Sequence, residues 1–87
     1  MTAKVVMYSK TTCPYCHRAE RVLRERGVKD LELIQIDIDR SRRAEMIERA
    51  HRSTVPQIFI GDKHIGGCDD LLELDHAGGL VPLLQAA

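Results

Sequence analysis

The chain has 87 residues, 44% hydrophobic and 30% charged, and its thirteen Lys plus Arg balance thirteen Asp plus Glu. A length below about 100 residues allows one domain, and so short a chain buries only about 60–65% of its unfolded surface. Zero net charge, 3% aromatics and no Trp argue against phosphate electrostatics or base stacking as the main mode of binding, so nucleic acid is not an expected partner.

Lys4 to Tyr8 is a short, largely β-branched apolar run and reads as a buried strand. Ser9 to Thr12 are loop residues, followed by Cys13-Pro14-Tyr15-Cys16. Pro14 suits the first position of a helix, where a missing N–H costs nothing. Tyr15, Ala19, Val22 and Leu23 then recur at helical spacing, Glu20 and Arg24 form an i,i+4 pair, and Gly27 suits the position just past the end. The spacing predicts a helix over 14–26. Leu31 to Ile38 reads as a second strand, whose slip of phase between Leu33 and Ile34 fits burial on both faces or a bulge. Ser41 is the expected N-cap of a helix running to about His51, with Ala44, Ile47 and Ala50 on its inner side. Gln57 to Ile60 is a third strand, Gly61-Asp62 a hairpin turn, and Lys63 to Ile65 a fourth strand. Gly66-Gly67 breaks that strand, and Asp69-Asp70 place negative charge on the first turn of a helix packed through Leu71, Leu72 and Leu74. Gly78-Gly79 ends it, and Leu80, Leu83 and Leu84 form a last helical turn after the break. The order β-α-β-α-β-β-α predicts an α/β fold of one domain over 1–87. A parallel βαβ unit followed by a hairpin and helix gives a mixed four-stranded sheet with helices on both faces.

Three cysteines are too few, and of the wrong parity, for the disulfide framework of a small secreted protein. Val5 to Tyr8 is too short for an export segment, and no run approaches the ~20 residues of a membrane span. A soluble, cytoplasmic monomer is the expectation. In that compartment a Cys-x-x-Cys pair is catalytic or metal-binding before it is structural. Cys13 falls at the expected N-cap and Cys16 one turn inside. A thiol attacks as thiolate, and helix-terminal Cys-x-x-Cys thiols titrate at roughly 3.5–7.5 against about 8.5 for free cysteine. Lys10, three residues earlier, can add positive charge that favours the thiolate. Cys13 is therefore the expected attacking sulfur and Cys16 the sulfur that resolves a mixed disulfide.

Three other readings compete for the same residues. The cysteines could be inert, or Cys13-Pro14-Tyr15-Cys16-His17 could be a C-x-x-C-H haem attachment, although that chemistry needs export. A non-catalytic zinc or iron–sulfur module could use Cys13, Cys16 and Cys68 with His17, His51 or His64. Zinc prefers two close-spaced ligand pairs, and Cys68 has only His64 nearby.

Cys13-Pro14-Tyr15-Cys16 after strand one, Thr54-Val55-Pro56 before strand three and Gly66-Gly67-Cys68-Asp69-Asp70 after strand four together resemble the dithiol glutaredoxins, of the bacterial glutaredoxin 3 class. The resemblance spans essentially the whole chain. It implies a thioredoxin-like fold and a glutathione-dependent thiol–disulfide oxidoreductase with a redox-active Cys13–Cys16 disulfide. Such enzymes sit at roughly −200 to −230 mV, suited to the glutathione pool. It also implies site roles. Lys10 and Arg43 would meet glutathione carboxylates, and Val55, between Thr54 and a cis Pro56, would pair its backbone with the cysteinyl part. Cys68 and Asp69 would hold the γ-glutamyl carboxylate at a helix N-terminus, and the Asp69 or Asp70 side chain would meet the ammonium group. Tyr15 would wall the cleft. Implied partners are glutathione and disulfide-bonded or glutathionylated proteins, with ribonucleotide reductase a family-level example; no metal is expected.

Overall fold

Residues 3–85 are described by a computed structural model. Its four-stranded sheet has the order β2-β1-β3-β4. Strand β1 (Val5–Ser9) lies inside the sheet and is buried at all five positions. On one side it pairs in parallel with β2 (Leu31–Gln35), Val5 opposite Leu31 and Ser9 opposite Gln35. On the other it pairs antiparallel with β3 (Gln57–Ile60), Val5 opposite Ile60 and Tyr8 opposite Gln57. The hairpin to β4 (Lys63–Gly66) turns at Gly61, whose φ of +59° a β-branched residue would resist.

Strand alternation divides the apolar residues between two helical layers. Val5, Met7, Ile58 and Ile60 face helices α1 (Pro14–Glu25), α3 (Cys68–His76) and α4 (Leu80–Gln85), meeting Ala19, Leu23, Leu71, Leu80 and Leu84. Val6, Tyr8, Ile34, Ile36 and Phe59 face α2 (Ser41–Ala50), meeting Met46 and Ala50. The mixed sheet with helices on both faces is the architecture expected of the sequence. Among the described residues, no helix is long and apolar enough to cross a membrane.

Helix α2 is also held by polar contacts. The Tyr8 hydroxyl donates to the Glu45 carboxylate and accepts from Arg49 Nη1 at 2.8 Å. The Arg49 guanidinium lies 4.2 Å from the Phe59 ring centroid, and Arg42 donates twice to Glu45 at 3.0 and 3.1 Å. Hydrogen bonds from Tyr8 and then Arg42 hold Glu45 below the usual carboxylate range.

Several local expectations need correction. Strand β2 stops at Gln35, because Gln35 carbonyl accepts from both Ile38 and Asp39 N–H and turns the chain there. Its register with β1 is continuous, so Leu33 and Ile34 simply serve opposite faces; the bulge lies instead between Ile58 and Phe59. Ser41 is the first residue inside α2 rather than its cap, and its hydroxyl donates to Asp39 Oδ1 at 2.6 Å. Ala44 is exposed and Met46 takes the inner position, which shifts the buried stripe around the helix. Tyr15 is 61% exposed and does not join the buried stripe of α1, which is Cys16, Ala19 and Leu23. The first helix ends at Glu25, with Gly27 at φ +97° just beyond it, and Glu20–Arg24 closes at 3.1 Å.

Leu23 has no exposed surface and anchors α1 to the sheet. Truncating it leaves a cavity between two packed layers. Leu23→Ala should cost about 2–5 kcal/mol, read as a lower urea midpoint with unchanged slope. A midpoint within error of the wild type would mean that the layers can close over the gap.

Candidate active site

The loop leaving β1 delivers Cys13 to the N-cap of α1 in an extended conformation, with φ −101° and ψ 107°. Pro14 in the first turn has no N–H that needs a partner. The Cys16 N–H donates to Cys13 Sγ at 3.2 Å. Negative charge on this sulfur would therefore sit where the unpaired donors and dipole of a helix start favour it. The loop is held from two sides. Thr11 donates from its N–H and hydroxyl to Asp37 Oδ2 at 3.1 and 2.5 Å, and Thr11 carbonyl lies 3.0 Å from His17 Nε2. The Thr11 hydroxyl bond is the largest cause that holds Asp37 below the usual carboxylate range.

The two sulfurs are unlike. Cys13 is half-buried, whereas Cys16 is 2% exposed. Burial, and then the hydrogen bond with Cys13, pushes the Cys16 thiol up to about 12. It stays protonated throughout the neutral range. Cys68 is also buried, and burial raises its thiol above the ordinary value, with Arg18 opposing. All three are free thiols.

Opposite Cys13 stands the loop before β3. The Val55–Pro56 bond is cis, as the resemblance implied, and the Val55 carbonyl oxygen lies 4.0 Å from Cys13 Sγ. Beside it opens a groove of about 250 Å³, lined by Tyr15, Arg52, Thr54, Val55, Pro56, Gly67, Cys68, Asp69 and Asp70. The structure thus gathers Tyr15, Thr54, Val55, Pro56, Cys68, Asp69 and Asp70 into one groove, leaving Lys10 and Arg43 outside its lining. Lys10 is exposed on the loop before Cys13, where its carbonyl accepts from the Cys13 N–H at 3.4 Å. Arg43 is exposed on α2.

Asp69 and Asp70, alternatives in the sequence, have different surroundings. Asp70 Oδ2 accepts from the Gly67 N–H and from Arg52 Nη1, each at 2.9 Å. It caps α3 and pairs with a cation. Gly66 is required beside it, because at φ +115° a Cβ there would collide with the Asp70 carboxylate. Asp69, in the same first turn, is exposed. Arg52 was missed in the sequence, where nothing but its place two residues before Thr54 marks it. Gln57 was missed too. The signal was a polar residue opening the otherwise apolar run Gln57-Ile58-Phe59-Ile60.

Among the described residues, no three His, Cys, Asp or Glu side chains converge to hold a metal ion. A larger cavity of about 840 Å³ at the other end of β1, by Lys4, Gly27 and Val81, has neither cysteine nor histidine in its lining.

The chain is similar to known proteins. The glutaredoxin family model matches residues 5–65. Glutaredoxin 3 of Escherichia coli (strain K12) is 58% identical over 95% of this chain and 99% of its own. A glutaredoxin of Pseudomonas aeruginosa is 49% identical over 94% of this chain and 96% of its own. Among solved structures, a buckwheat glutaredoxin–glutathione complex superposes with a TM-score of 0.85 at 36% identity, covering 94% of this chain and 76% of that one. The fold is thioredoxin-like.

The bond from the Gly67 N–H, then the Arg52 pair, holds Asp70 below the usual carboxylate range. A carboxylate depressed in the folded state adds stability above its unfolded value of about 3.9, and that stability is lost as pH falls through the folded value. Asp70→Asn should therefore melt below the wild type at neutral pH, and the gap should narrow as pH falls below about 4. Thermal melts across that range check the sign. A gap that stays constant would show that charge at Asp70 contributes nothing.

Proposed function

The chain belongs to the glutaredoxin family of glutathione-dependent oxidoreductases, and we propose that it reduces protein–glutathione mixed disulfides and protein disulfides through Cys13 and Cys16. Residues 1–87 act in this proposal as one glutaredoxin unit. The observation that carries the reading is the inequality of the cysteines. Cys13 is half-exposed at a helix start with an N–H on its sulfur, while Cys16 is buried with its thiol pushed up to about 12.

In the monothiol route the Cys13 thiolate attacks the glutathione sulfur of a glutathionylated protein. The S–S bond breaks, the protein thiolate leaves and takes a proton, and Cys13 is left disulfide-bonded to glutathione. A second glutathione thiolate attacks the glutathionyl sulfur, forming glutathione disulfide and restoring Cys13. In the dithiol route Cys13 attacks a protein disulfide. Cys16 loses its proton as it attacks Cys13 Sγ, expels the substrate thiolate and leaves a Cys13–Cys16 disulfide for two glutathiones to reduce. A thiol protonated at rest cannot compete as first attacker, so burial of Cys16 orders the two steps.

The groove supplies the glutathione site in this reading. The Val55 backbone pairs with the cysteinyl part, as an added strand would. The α3 start takes the γ-glutamyl carboxylate on the backbone N–H groups of Cys68 and Asp69, the Gly67 N–H being held by Asp70. Asp69 meets the ammonium group, because Asp70 is already bound to Gly67 and Arg52. Arg52, which lines the groove while paired with Asp70, joins Lys10 and Arg43 as a cation offered to the carboxylates. Support for glutathione as the co-substrate comes from the family and from the glutathione-bound buckwheat relative.

Cys13→Ser should abolish both reactions. Cys16→Ser should keep deglutathionylation of a glutathionylated peptide while losing reduction of a protein disulfide. Glutathione-coupled assays of the two variants decide this, and turnover by Cys13→Ser would sink the assignment.

A further inference from the structure

Gln57 has no exposed surface, although it opens a strand of apolar residues. A buried amide is costly unless its hydrogen bonds are made. Gln57 Nε2 donates to the Thr54 carbonyl oxygen at 3.0 Å and lies 3.3 Å from Thr54 Oγ1. Gln57 Oε1 lies 2.7 Å from Nε2 of His64, half-buried on β4.

One end sets the polarity of this chain of bonds. A carbonyl only accepts, so the Gln57 NH2 faces Thr54 and its Oε1 faces His64. His64 must then donate from Nε2, which selects the Nε2–H tautomer of the neutral ring. An imidazolium also donates from Nε2, so the bond keeps its direction if the ring gains a proton. The ring is held against Phe59, centroids 4.9 Å apart and planes 34° apart. Burial and then the nearby Arg52 keep His64 below the ordinary histidine range, with His51 adding to them and Asp70 opposing.

The far end of the chain is in the groove. Val55–Pro56 is the cis bond among the described residues, so the Thr54–Val55 peptide is trans and its C=O and N–H point in opposite directions. Anchoring the Thr54 carbonyl on Gln57 turns the Val55 N–H away from the buried amide. We infer that Gln57 and His64 are positioning residues: from β3 and the β4 edge they orient the Thr54–Val55 peptide, whose N–H donates to the backbone of bound glutathione. The inference rests on the glutathione reading above and adds residues that do not touch the groove contents.

The test has two independent arms on the full chain. Long-range ¹H–¹⁵N imidazole correlations of the labelled wild type at about neutral pH should show His64 as the Nε2–H tautomer. The Nδ1–H tautomer would overturn the proposal without any variant. In steady-state kinetics on a glutathionylated peptide, His64→Phe keeps the ring on Phe59 and removes the donor. It should raise KM about tenfold, the worth of one neutral hydrogen bond, with kcat nearly unchanged. Gln57→Glu, which aims a carboxylate oxygen at the Thr54 carbonyl, should do the same. His64→Gln, which restores an N–H donor, should recover most of the loss. An unchanged KM in His64→Phe, or a fall in kcat alone, overturns the positioning role. A wild type with no turnover at all would instead sink the glutathione reading, and the positioning role with it, while the tautomer still decides the hydrogen-bond chain.

Discussion

The pairing of β1 with β3 is the constraint on which the site depends. These strands run antiparallel with Tyr8 opposite Gln57. The end of β1, from which the chain goes on to Cys13, therefore lies beside the start of β3, into which Val55–Pro56 leads. Forty-two residues separate Cys13 from Val55, yet sulfur and carbonyl oxygen come within 4.0 Å. Either strand alone would leave its loop free in solvent. Paired, they hold the two sides of the candidate site with the stiffness of a buried sheet.

The second organising feature is the shared orientation of two helix starts. Helices α1 and α3 pack on the same face of the sheet through Ala19, Leu23, Cys68 and Leu71. Both begin at the rim where the groove opens, α1 at Cys13 and α3 at Gly67. Each start presents unpaired N–H groups and partial positive charge. In the proposed reaction, a sulfur that carries negative charge and a groove that takes a carboxylate would thus use one physical device twice. Asp70 tempers the second by capping Gly67, and Arg52 answers its charge. Zero net charge for the whole chain hides this local order.

Much of this was legible in the sequence, and what was not has definite causes. Cys13 at the helix start followed from Pro14 and the apolar spacing behind it, because a cap is a local matter. Turn residues such as Gly27 and Gly61 were legible for the same reason. Periodicity identifies an apolar face only to within a residue, so Ala44 was placed inside where the larger Met46 is buried. Ser41 had the chemistry of a cap, but its hydroxyl binds Asp39 instead. The length of β2 was overread because Ile36 stays buried after the pairing ends. Arg52 and the division of labour between Asp69 and Asp70 depend on an ion pair eighteen residues apart, which no local pattern encodes. Gln57 was visible as an oddity, but its partner His64 becomes a neighbour only when β3 and β4 pair.

The cysteine that would order the proposed chemistry is governed by the core rather than by the groove. Cys16 is raised first by burial, and its surroundings are the layer in which Ala19 and Leu23 pack against the sheet. An exposed Cys16 would lose the largest cause of its shift and compete with Cys13 for the first attack. The apolar packing that stabilises a chain of this size therefore also keeps the Cys16 thiol protonated. Under the proposed mechanism, stability and reaction order would be set by the same buried face of α1, so loosening that face would disturb both together.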